Sequence, residues 1–397
     1  MKVRVVIFGQ GLVATHFVVG LERLKNGEVE PYGVPLAGYK LVYPIESIDV
    51  VGSYDVDESK IGLSLYDIAV KYLGDLISIP NTLKEVEVRR GIHINSLKGL
   101  PIKAKGIEEV TGNLLDAINM LVDDFSTLRP DVFINVISTE HAESFNNWDV
   151  FISALRSHDI SKLSASQVYA YAVFEYARIY GRSVVLINAI PTPLANDDAF
   201  VEMFRRVRSL ILGDDGATGA TPLTADILEH LKERGRRVKS IAQFNIGGNT
   251  DFLTLTIPER NIMKEKTKSS IVEDVLGYDV PHYIKPTGYL EPLGDKKFVS
   301  MHIAWKTFNE FEDELIINLR INDSPALAGL LIDLARVGKA LVERGVYGTC
   351  YRVNSFFMKA PGPRGSRSIS RIIAYYNMIK YLRDLRIINR EISIPGE

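Results

Sequence analysis

The residues of this sequence best suited to chemistry are lysines and aspartates that follow predicted strands or precede predicted helices. Three lysines occur within five positions at residues 264–268, Lys297 opens a strand beside Asp295, and Lys359 ends an apolar segment. One ammonium group can bind a phosphate, while another that is buried beside it has its pKa lowered and can act as a base. A single lysine is more often a solvated charge, so the clustering is what indicates a site.

A glycine- and threonine-rich loop at residues 213–221 is a candidate for binding that phosphate. It follows an apolar strand and leads into a helical pattern, with Thr221 as the predicted N-cap and Pro222 as the first helical residue. Free backbone N–H groups, hydroxyls and the helix dipole would converge there on an anion. An ordinary turn between a strand and a helix has the same composition, so the loop alone does not decide.

Composition excludes several classes of protein. The chain has 397 residues, 46% of them hydrophobic and 24% charged, and a formal net charge of -2, which gives no support for a nucleic-acid-binding surface. No apolar run approaches the roughly 20 residues of a membrane span. The single cysteine, Cys350, rules out an intrachain disulfide. We therefore expect a cytoplasmic protein with neither a nucleic acid nor a membrane as partner.

The N-terminus carries a dinucleotide-binding pattern. A β-branched strand at residues 2–8 is followed by a glycine turn and a helix, and a second strand ends in Asp55. An acid at that point favours NAD over NADP. The alternative is a turn without a nucleotide, with Asp55 and Asp57 capping the next helix. The residues predicted to contact the cofactor here are Gly9, Gln10, Gly11, Leu12, Val13 and Asp55.

Strands and helices alternate through the first half of the chain. Apolar strands at residues 131–137 and 183–190 flank a helix at 164–180, which predicts a doubly wound parallel sheet. Ligands of such sheets bind at the carboxyl ends of the strands. The residues at these ends, and so further candidates for the cofactor site, are Ser138, Thr139, Asn188 and Pro191. Asn188 is equally compatible with a turn residue whose hydrogen bonds are satisfied.

The pattern changes after Gly235. Strands without crossover helices are predicted at residues 240–246, 251–257, 298–305 and 314–321, with a short helix at about 269–276. They indicate a mostly antiparallel sheet whose apolar face is covered by helices or by another subunit. Ser324 and Pro325 would cap a helix at about 326–344, and residues 349–358 are predicted to be a strand.

The predicted fold class is therefore α/β: a Rossmann-like doubly wound parallel sheet with an inserted α+β domain for catalysis and oligomerisation. We expect residues 1–237 to form the first part of the NAD-binding domain, 238–322 the inserted domain, and 323–397 a segment that completes the NAD-binding domain.

Six ordered motifs resemble those of 1L-myo-inositol-1-phosphate synthases, in particular the shorter prokaryotic and archaeal members. With the N-terminal turn and Asp55-Val-Asp57, the resemblance covers most of the chain. It departs at Leu327-Ala328 and in the extra basic residues Lys266 and Lys296, which leaves the role of each lysine open. The motifs are Gly213-Asp-Asp-Gly-Ala-Thr-Gly-Ala-Thr221, Asn245-Ile-Gly-Gly-Asn-Thr-Asp251, Lys264-Glu-Lys-Thr-Lys-Ser-Ser270, Gly294-Asp-Lys-Lys297, Asp323-Ser-Pro325 and Met358-Lys-Ala-Pro361.

The resemblance implies an isomerase that converts D-glucose 6-phosphate to 1L-myo-inositol 1-phosphate. The implied steps are oxidation at C5, loss of a C6 proton, aldol closure of C6 onto C1, and reduction by the same tightly held NAD. The implied catalytic residues are Lys264, Lys359, Lys268 and Lys297, the first two for proton transfer and the last two at the phosphate. The implied substrate-binding residues are Thr218, Gly219, Ala220, Thr221, Asn245, Asn249, Asp251, Asp295 and Asp323.

Asp214 and Asp215 lie unexpectedly close to a phosphate loop, because two carboxylates repel a dianion. Either they point at the nicotinamide ribose, which makes them candidate cofactor-binding residues, or a divalent metal ion lies between them and the substrate. The sequence leaves the metal open.

Two other functions share the cofactor fold. One is an NAD-dependent dehydrogenase of a phosphorylated sugar or polyol that releases NADH, and the other is a non-catalytic NAD-binding regulator. The predicted sheet face and the resemblance both favour a homotetramer.

Overall fold

The computed structural model describes residues 2–94 and 96–391, apart from the side chains of 266–268 and 389–391. It contains a parallel sheet, a second mixed sheet and a two-stranded ribbon. The strands are β1 Val3–Phe8, β2 Tyr39–Leu41, β3 Ile48–Asp55, β4 Val88–Arg90, β5 Val132–Asn135, β6 Val185–Asn188, β7 Leu210–Leu212, β8 Arg237–Gly247, β9 His282–Tyr289, β10 Lys296–Lys306, β11 Glu312–Asn322, β12 Gly348–Thr349 and β13 Ile388–Glu391.

The α-helices connect these strands and cover the sheets. They are α1 Leu12–Lys25, α2 Leu65–Leu73, α3 Ile107–Thr111, α4 Leu114–Leu128, α5 Trp148–Arg156, α6 Ala165–Tyr180, α7 Asp198–Arg206, α8 Thr221–Glu233, α9 Thr250–Thr254, α10 Pro258–Leu276, α11 Asp323–Glu343, α12 Tyr351–Phe357 and α13 Arg371–Asp384.

The first sheet has the order β12-β7-β6-β5-β1-β3-β4, with every neighbouring pair parallel. Alternate side chains of β1 enter two different cores, as the pleat requires. Val5 and Ile7 pack in the core that contains α1 and α11. Val6 and Phe8 pack in the core that contains α4 and α6. Helices therefore cover both faces, and the chain reverses direction across the sheet at β1, where such folds bind their ligands.

The second sheet has the order β11-β10-β8-β9, in which only the β8–β9 pair is parallel. Its apolar face includes Val299, Met301 and Ile303 from β10, all buried. These side chains pack against α8 and α10, so the apolar face of the sheet is covered by helices and not by another subunit. The opposite face carries Phe244, Tyr283 and Ile316, which are exposed.

The predicted fold class is confirmed, but two predicted strands are wrong. Residues 251–257 begin as helix α9, because the side chain of Asn249 accepts a hydrogen bond from the Phe252 amide and caps the helix. Residues 351–357 form helix α12, and only Gly348–Thr349 is a strand. Val353 and Phe357 are buried at a spacing of i and i+4, which is the spacing of one helical face.

Three helix starts also differ from the prediction. Helix α8 begins at Thr221 and its N-cap is Ala220, so Thr221 is the first helical residue. Helix α11 begins at Asp323, before the predicted Ser324-Pro325 cap. Helix α10 begins at Pro258, so residues 264–268 lie within a helix and not before one. Lys264 therefore lies within helix α10 and its backbone position is fixed by that helix.

Candidate active site

The glycine turn after β1 is closely packed against the segment that follows β5. Gly9 has a φ of 93°, and a Cβ atom there would lie 2.7 Å from the Ile137 backbone, so only glycine fits. Gly11 is the N-cap of α1 and supplies no side-chain cap. The first amides of a helix have no partner within it, and they favour an anion. The turn therefore fits the pyrophosphate of a dinucleotide.

Asp55 joins the end of β3 to this turn. Its Oδ2 accepts hydrogen bonds from the Gln10 amide at 2.8 Å and from Lys60 Nζ at 3.1 Å. Its Oδ1 accepts from the amides of Val56 and Asp57 at 2.7 and 2.9 Å. The carboxylate is buried. These bonds fix the position of the acid at the site where a dinucleotide ribose is held.

Two predicted lysines meet at one carboxylate. Lys359 Nζ lies 3.1 Å from Asp215 Oδ1, and Lys264 Nζ lies 3.3 Å from the same atom. Lys264 Nζ is also 3.7 Å from Asp251 Oδ2. The Lys359 amide donates to the Asp215 carbonyl oxygen at 2.6 Å, so the two segments are joined through their backbones as well.

The surroundings move the pKa values of the two lysines in opposite directions. Burial lowers the pKa of Lys359, and the attraction of Asp215 does not fully offset it. Burial alone would also lower the pKa of Lys264, but the negative charges of Asp215 and Asp251 raise it above its ordinary value. The ammonium of Lys359 therefore loses its proton more readily than that of Lys264, which keeps its charge.

A third lysine lies beside the glycine-threonine loop. Lys297 Nζ donates to Asp323 Oδ2 at 2.9 Å, and a Cβ atom on Gly219 would lie 2.6 Å from the same nitrogen. Gly219 has a φ of 72°. Burial alone would raise the pKa of Asp323, but the positive charges of Lys297 and Lys359 lower it to about 2. The ammonium of Lys297 therefore lies beside the loop that leads into α8, an arrangement that suits a phosphate.

Further polar side chains are held by one another. Asp295 accepts from Asn249 Nδ2 at 2.9 Å and from Ser324 Oγ at 2.6 Å. Asp251 accepts from Thr139 Oγ1 at 2.8 Å. Asn245 donates through Nδ2 to the Lys285 carbonyl oxygen at 3.0 Å. These bonds restrict the rotamers of groups that would have to orient a polar substrate.

Asp214 and Asp215 are adjacent but have different surroundings. Asp214 accepts five hydrogen bonds, from the side chains of Asn188 and Asn196 and from the amides of residues 194–196. Burial raises the pKa of Asp214 to about 6, although these donors favour the carboxylate. Asp215, with a φ of 61°, faces the lysines instead. The expected repulsion of a phosphate by two aspartates is thus removed by orientation and by pairing.

Most of the predicted site residues line one cavity of about 420 Å³. The predicted residues at its wall are Gly9, Gly11, Leu12, Val13, Asp55, Ser138, Asp215, Thr218, Ala220, Thr221, Asn245, Asn249, Asp251, Lys264, Asp295, Lys297, Asp323 and Lys359. The predicted residues that do not line it are Gln10, Thr139, Asn188, Pro191, Asp214 and Gly219. The side chain of Lys268 lies outside the described residues.

The residues away from the wall support it. Gln10 is fully buried and links Ser53 to Thr15, while Asn188 bonds Asp214. The wall also holds residues that were not among the predicted ones, including the polar side chains of Lys60, Tyr72 and Ser324. A signal for Lys60 was present in the sequence, since this lysine follows Asp55 and Asp57 closely. The sequence predicts Ser324 only as a helix cap.

Among the described residues, no group of three or more histidine, cysteine, aspartate or glutamate side chains is arranged to hold a metal ion. In the same part of the chain, no helix combines the length and the apolar character needed to cross a bilayer.

Comparison with known proteins shows which family has this sequence and fold. A family profile described as myo-inositol-1-phosphate synthase matches residues 219–324. The crystal structure of a myo-inositol-1-phosphate synthase-related protein from Thermotoga maritima is 52% identical, covers 96% of this chain and 98% of its own, and superposes with a TM-score of 0.90. Inositol-3-phosphate synthase from Corynebacterium glutamicum is 28% identical over 90% of this chain and 93% of its own.

The inositol-3-phosphate synthase of Caenorhabditis elegans is 16% identical, with a TM-score of 0.80 over 99% of this chain and 88% of its own, and so shares the fold. Fold and site define an enzyme of the Rossmann-like α/β class with a lysine–aspartate centre. The chain belongs to the myo-inositol-1-phosphate synthase family, which is a family of isomerases.

Proposed function

We propose that this protein converts D-glucose 6-phosphate to 1L-myo-inositol 1-phosphate. The observation that carries the proposal is the meeting of Lys264 and Lys359 at Asp215, in the same cavity as the Gly219 loop and Lys297. A phosphosugar needs an anion site at one end and proton-transfer groups at its carbons, and this cavity offers both. The family assignment supports the same reaction.

The proposed cofactor is NAD. Gly9 and Gly11 would admit its pyrophosphate, and the end of β3 at Asp55 would lie at its adenosine ribose. When bound, NAD would accept a hydride and later return it, so that the reaction has no net redox change. The remaining steps depend on this chain's own side chains.

Lys359 is the proposed proton carrier. In the proposed sequence a base takes the C5 hydroxyl proton, and a proton then leaves C6 so that C6 can bond to C1. Because burial lowers the pKa of Lys359, a larger fraction of its amine is neutral and able to accept a proton. Asp215 holds that amine in place at 3.1 Å.

Lys264 is the proposed electrostatic partner. Negative charge develops on the substrate oxygen when the C6 proton leaves, and a nearby ammonium stabilises it. The raised pKa of Lys264 keeps this side chain cationic. Lys297, together with the amides that open α8, would bind the phosphate, and Lys268 is proposed to join them.

Ring closure depends on orientation. Bringing C6 over C1 in a defined geometry is worth several kcal/mol, on the order of the 7–11 kcal/mol of well-oriented intramolecular reactions at most. Asp251, Asp295 and Asp323 are each held by other side chains of the site and are proposed to bind sugar hydroxyls. Such carboxylates contribute without exchanging a proton.

The test is a product assay. Purified protein is incubated with glucose 6-phosphate and NAD, the product is compared chromatographically with an inositol 1-phosphate standard, and NADH is followed by its absorbance. We expect an inositol phosphate that resists acid and alkali, without net NADH. Running the assay with and without a chelator shows whether a divalent cation takes part.

NADH formed in equal amount to a non-cyclic product would identify a phosphosugar dehydrogenase and contradict the proposal. Binding of NAD without any turnover would leave only a regulator.

We also propose an oligomeric state, which light scattering on the same purified protein measures. Residues 238–322 form subunit contacts through the exposed face of the second sheet, and the protein is a homotetramer.

A further inference from the structure

The acid at the end of β3 has no acceptor capacity left. A carboxylate offers about four lone-pair positions. Those of Asp55 are taken by the amides of Gln10, Val56 and Asp57 and by the ammonium of Lys60. A ribose diol therefore reaches Asp55 only by displacing one of these donors. Three of the donors are fixed in the backbone, and the fourth is a side chain that can move.

Lys60 lies where the adenosine end of a dinucleotide would bind. Its side chain is 11% exposed, and it lines the cavity beside Asp55, Asp57 and Tyr72. Its Nζ is 3.1 Å from Asp55 Oδ2 and 3.6 Å from Asp57 Oδ2. An ammonium has three donors, so one N–H is available to a ligand while both aspartates are engaged.

The charges of Asp55, Asp57 and Lys60 affect the binding of NAD and NADP differently. Two carboxylates and one ammonium leave a local charge of about -1, where the aspartates alone would give about -2. A 2′-phosphate is repelled by carboxylates and attracted by an ammonium, whereas a 2′-hydroxyl is sensitive mainly to hydrogen bonding.

We propose that Lys60 sets the dinucleotide preference of this site: it competes with the ribose diol of NAD for Asp55 and supplies the cation that a 2′-phosphate of NADP requires. The inference rests on the dinucleotide site of the proposed function. It makes the preference for NAD weaker than Asp55 and Asp57 alone would give. The preference is therefore adjustable at a position that takes no part in the proposed chemistry.

The test measures the dissociation constants of NAD and NADP by calorimetry on the full-length protein. In Lys60→Met the ratio of the NADP constant to the NAD constant should rise at least about tenfold, with NAD binding unchanged or tighter. Lys60→Arg keeps the charge and should leave the ratio within about threefold of the wild type. The matched control is Lys103→Met, which removes an exposed ammonium paired with Glu58 on a neighbouring segment. It should not change the ratio.

A second variant keeps the proposal testable if Lys60→Met does not fold. Asp57→Asn removes one carboxylate from the ammonium, so the ratio should fall at least about tenfold. The double variant Lys60→Arg/Asp57→Asn keeps the positive charge and should show the same fall. An unchanged ratio in Lys60→Met, or in Asp57→Asn if Lys60→Met does not fold, would overturn the role of Lys60. A wild-type protein that binds neither dinucleotide would instead contradict the cofactor site, and with it the proposed function.

Discussion

Lys264 and Lys359 donate to the same oxygen atom, Oδ1 of Asp215, although one lies on helix α10 and the other follows helix α12. The shared atom couples their charges. Any change that removes a proton from one amine changes the field at the other, so the protonation of the two lysines is coupled. The opposite pKa shifts of the two lysines follow from their different second partners.

The first prediction concerns pH. If Lys359 acts as a base, kcat/KM should rise with pH through its lowered pKa, because only the neutral amine accepts a proton. Asp215→Asn removes the carboxylate that favours the ammonium, so the rising limb should move to lower pH. Asp251→Asn should slow turnover without moving that limb, since Asp251 contacts Lys264. A limb that stays in place in Asp215→Asn would remove Lys359 from the role of base.

The second prediction concerns the glycine- and threonine-rich loop at residues 213–221, where the phosphate is proposed to bind. Gly219→Ala should raise KM for glucose 6-phosphate at least about tenfold, because the new methyl group displaces the Lys297 ammonium and one charge-assisted contact is worth about 1.5–3 kcal/mol. The control is Gly235→Ala. Gly235 also has a positive φ, 66°, but no neighbour within 4 Å of an added Cβ. It should cost about 1 kcal/mol of stability and leave KM unchanged. Equal KM values in the two variants would contradict a phosphate site at Gly219.

The third prediction concerns Asp214, in the loop at residues 213–221, and the stability of the folded protein. Asp214→Asn should lower the free energy of unfolding by about 2–4 kcal/mol, because an amide nitrogen then faces donors such as the Ala195 and Asn196 amides. Thermal unfolding at neutral pH measures this. Asp198→Asn, whose carboxylate is mostly exposed and 3.8 Å from Arg364, is the control and should change little. A near-zero effect of Asp214→Asn would show that the loop does not depend on this carboxylate.

The same variant gives a pH dependence of stability. The pKa of Asp214 in the folded state is about 6, above its ordinary value of 3.8. The pH-dependent part of its contribution to stability is therefore complete below about pH 4 and is lost as pH rises through about 6, while the hydrogen bonds to the carboxylate remain. The stability gap between the wild type and Asp214→Asn should therefore be widest at about pH 4 and narrow by up to about 3 kcal/mol by pH 6. A gap that widens over this range would reverse the assigned direction.

The fourth prediction concerns assembly. Ile316, on the outer face of the second sheet, is 62% exposed, and Phe244 and Tyr283 are exposed on the same face. Ile316→Lys should dissociate the proposed tetramer in light scattering, because a buried lysine without a partner opposes the contact. Tyr32→Ser removes a side chain that is 85% exposed and does not belong to the second sheet, so it should leave the mass of the assembly unchanged. A tetrameric Ile316→Lys protein would place the interface elsewhere.

Much of this architecture was predictable because local patterns and long-range packing agree. β-branched runs such as β1 bury one set of side chains in each of two cores, so their periodicity and their burial point to the same structure. Lys264, Lys297 and Lys359 were recognisable from motifs, and they do share one cavity.

The exceptions have physical causes that a sequence does not display. Helix α9 replaces a predicted strand because Asn249 caps it and Phe252 packs on Gly247, a contact set by the fold. Asp214 and Asp215 have different partners because their loop pairs with residues 358–362. Lys60 was missed because its significance depends on which acceptors of Asp55 already have donors, and that is decided by the folded structure.

Helix α11 begins at Asp323, whose carboxylate pairs with Lys297, and then runs beneath the parallel sheet with Leu331, Leu334 and Leu341 buried there. The end of helix α11 that carries Asp323 at the cavity wall is therefore positioned by hydrophobic packing under the sheet. Substitutions in that distant interior should alter turnover while leaving every polar group of the cavity chemically intact. Natural variation of the rate among relatives would then be sought first in the aliphatic residues under the sheet.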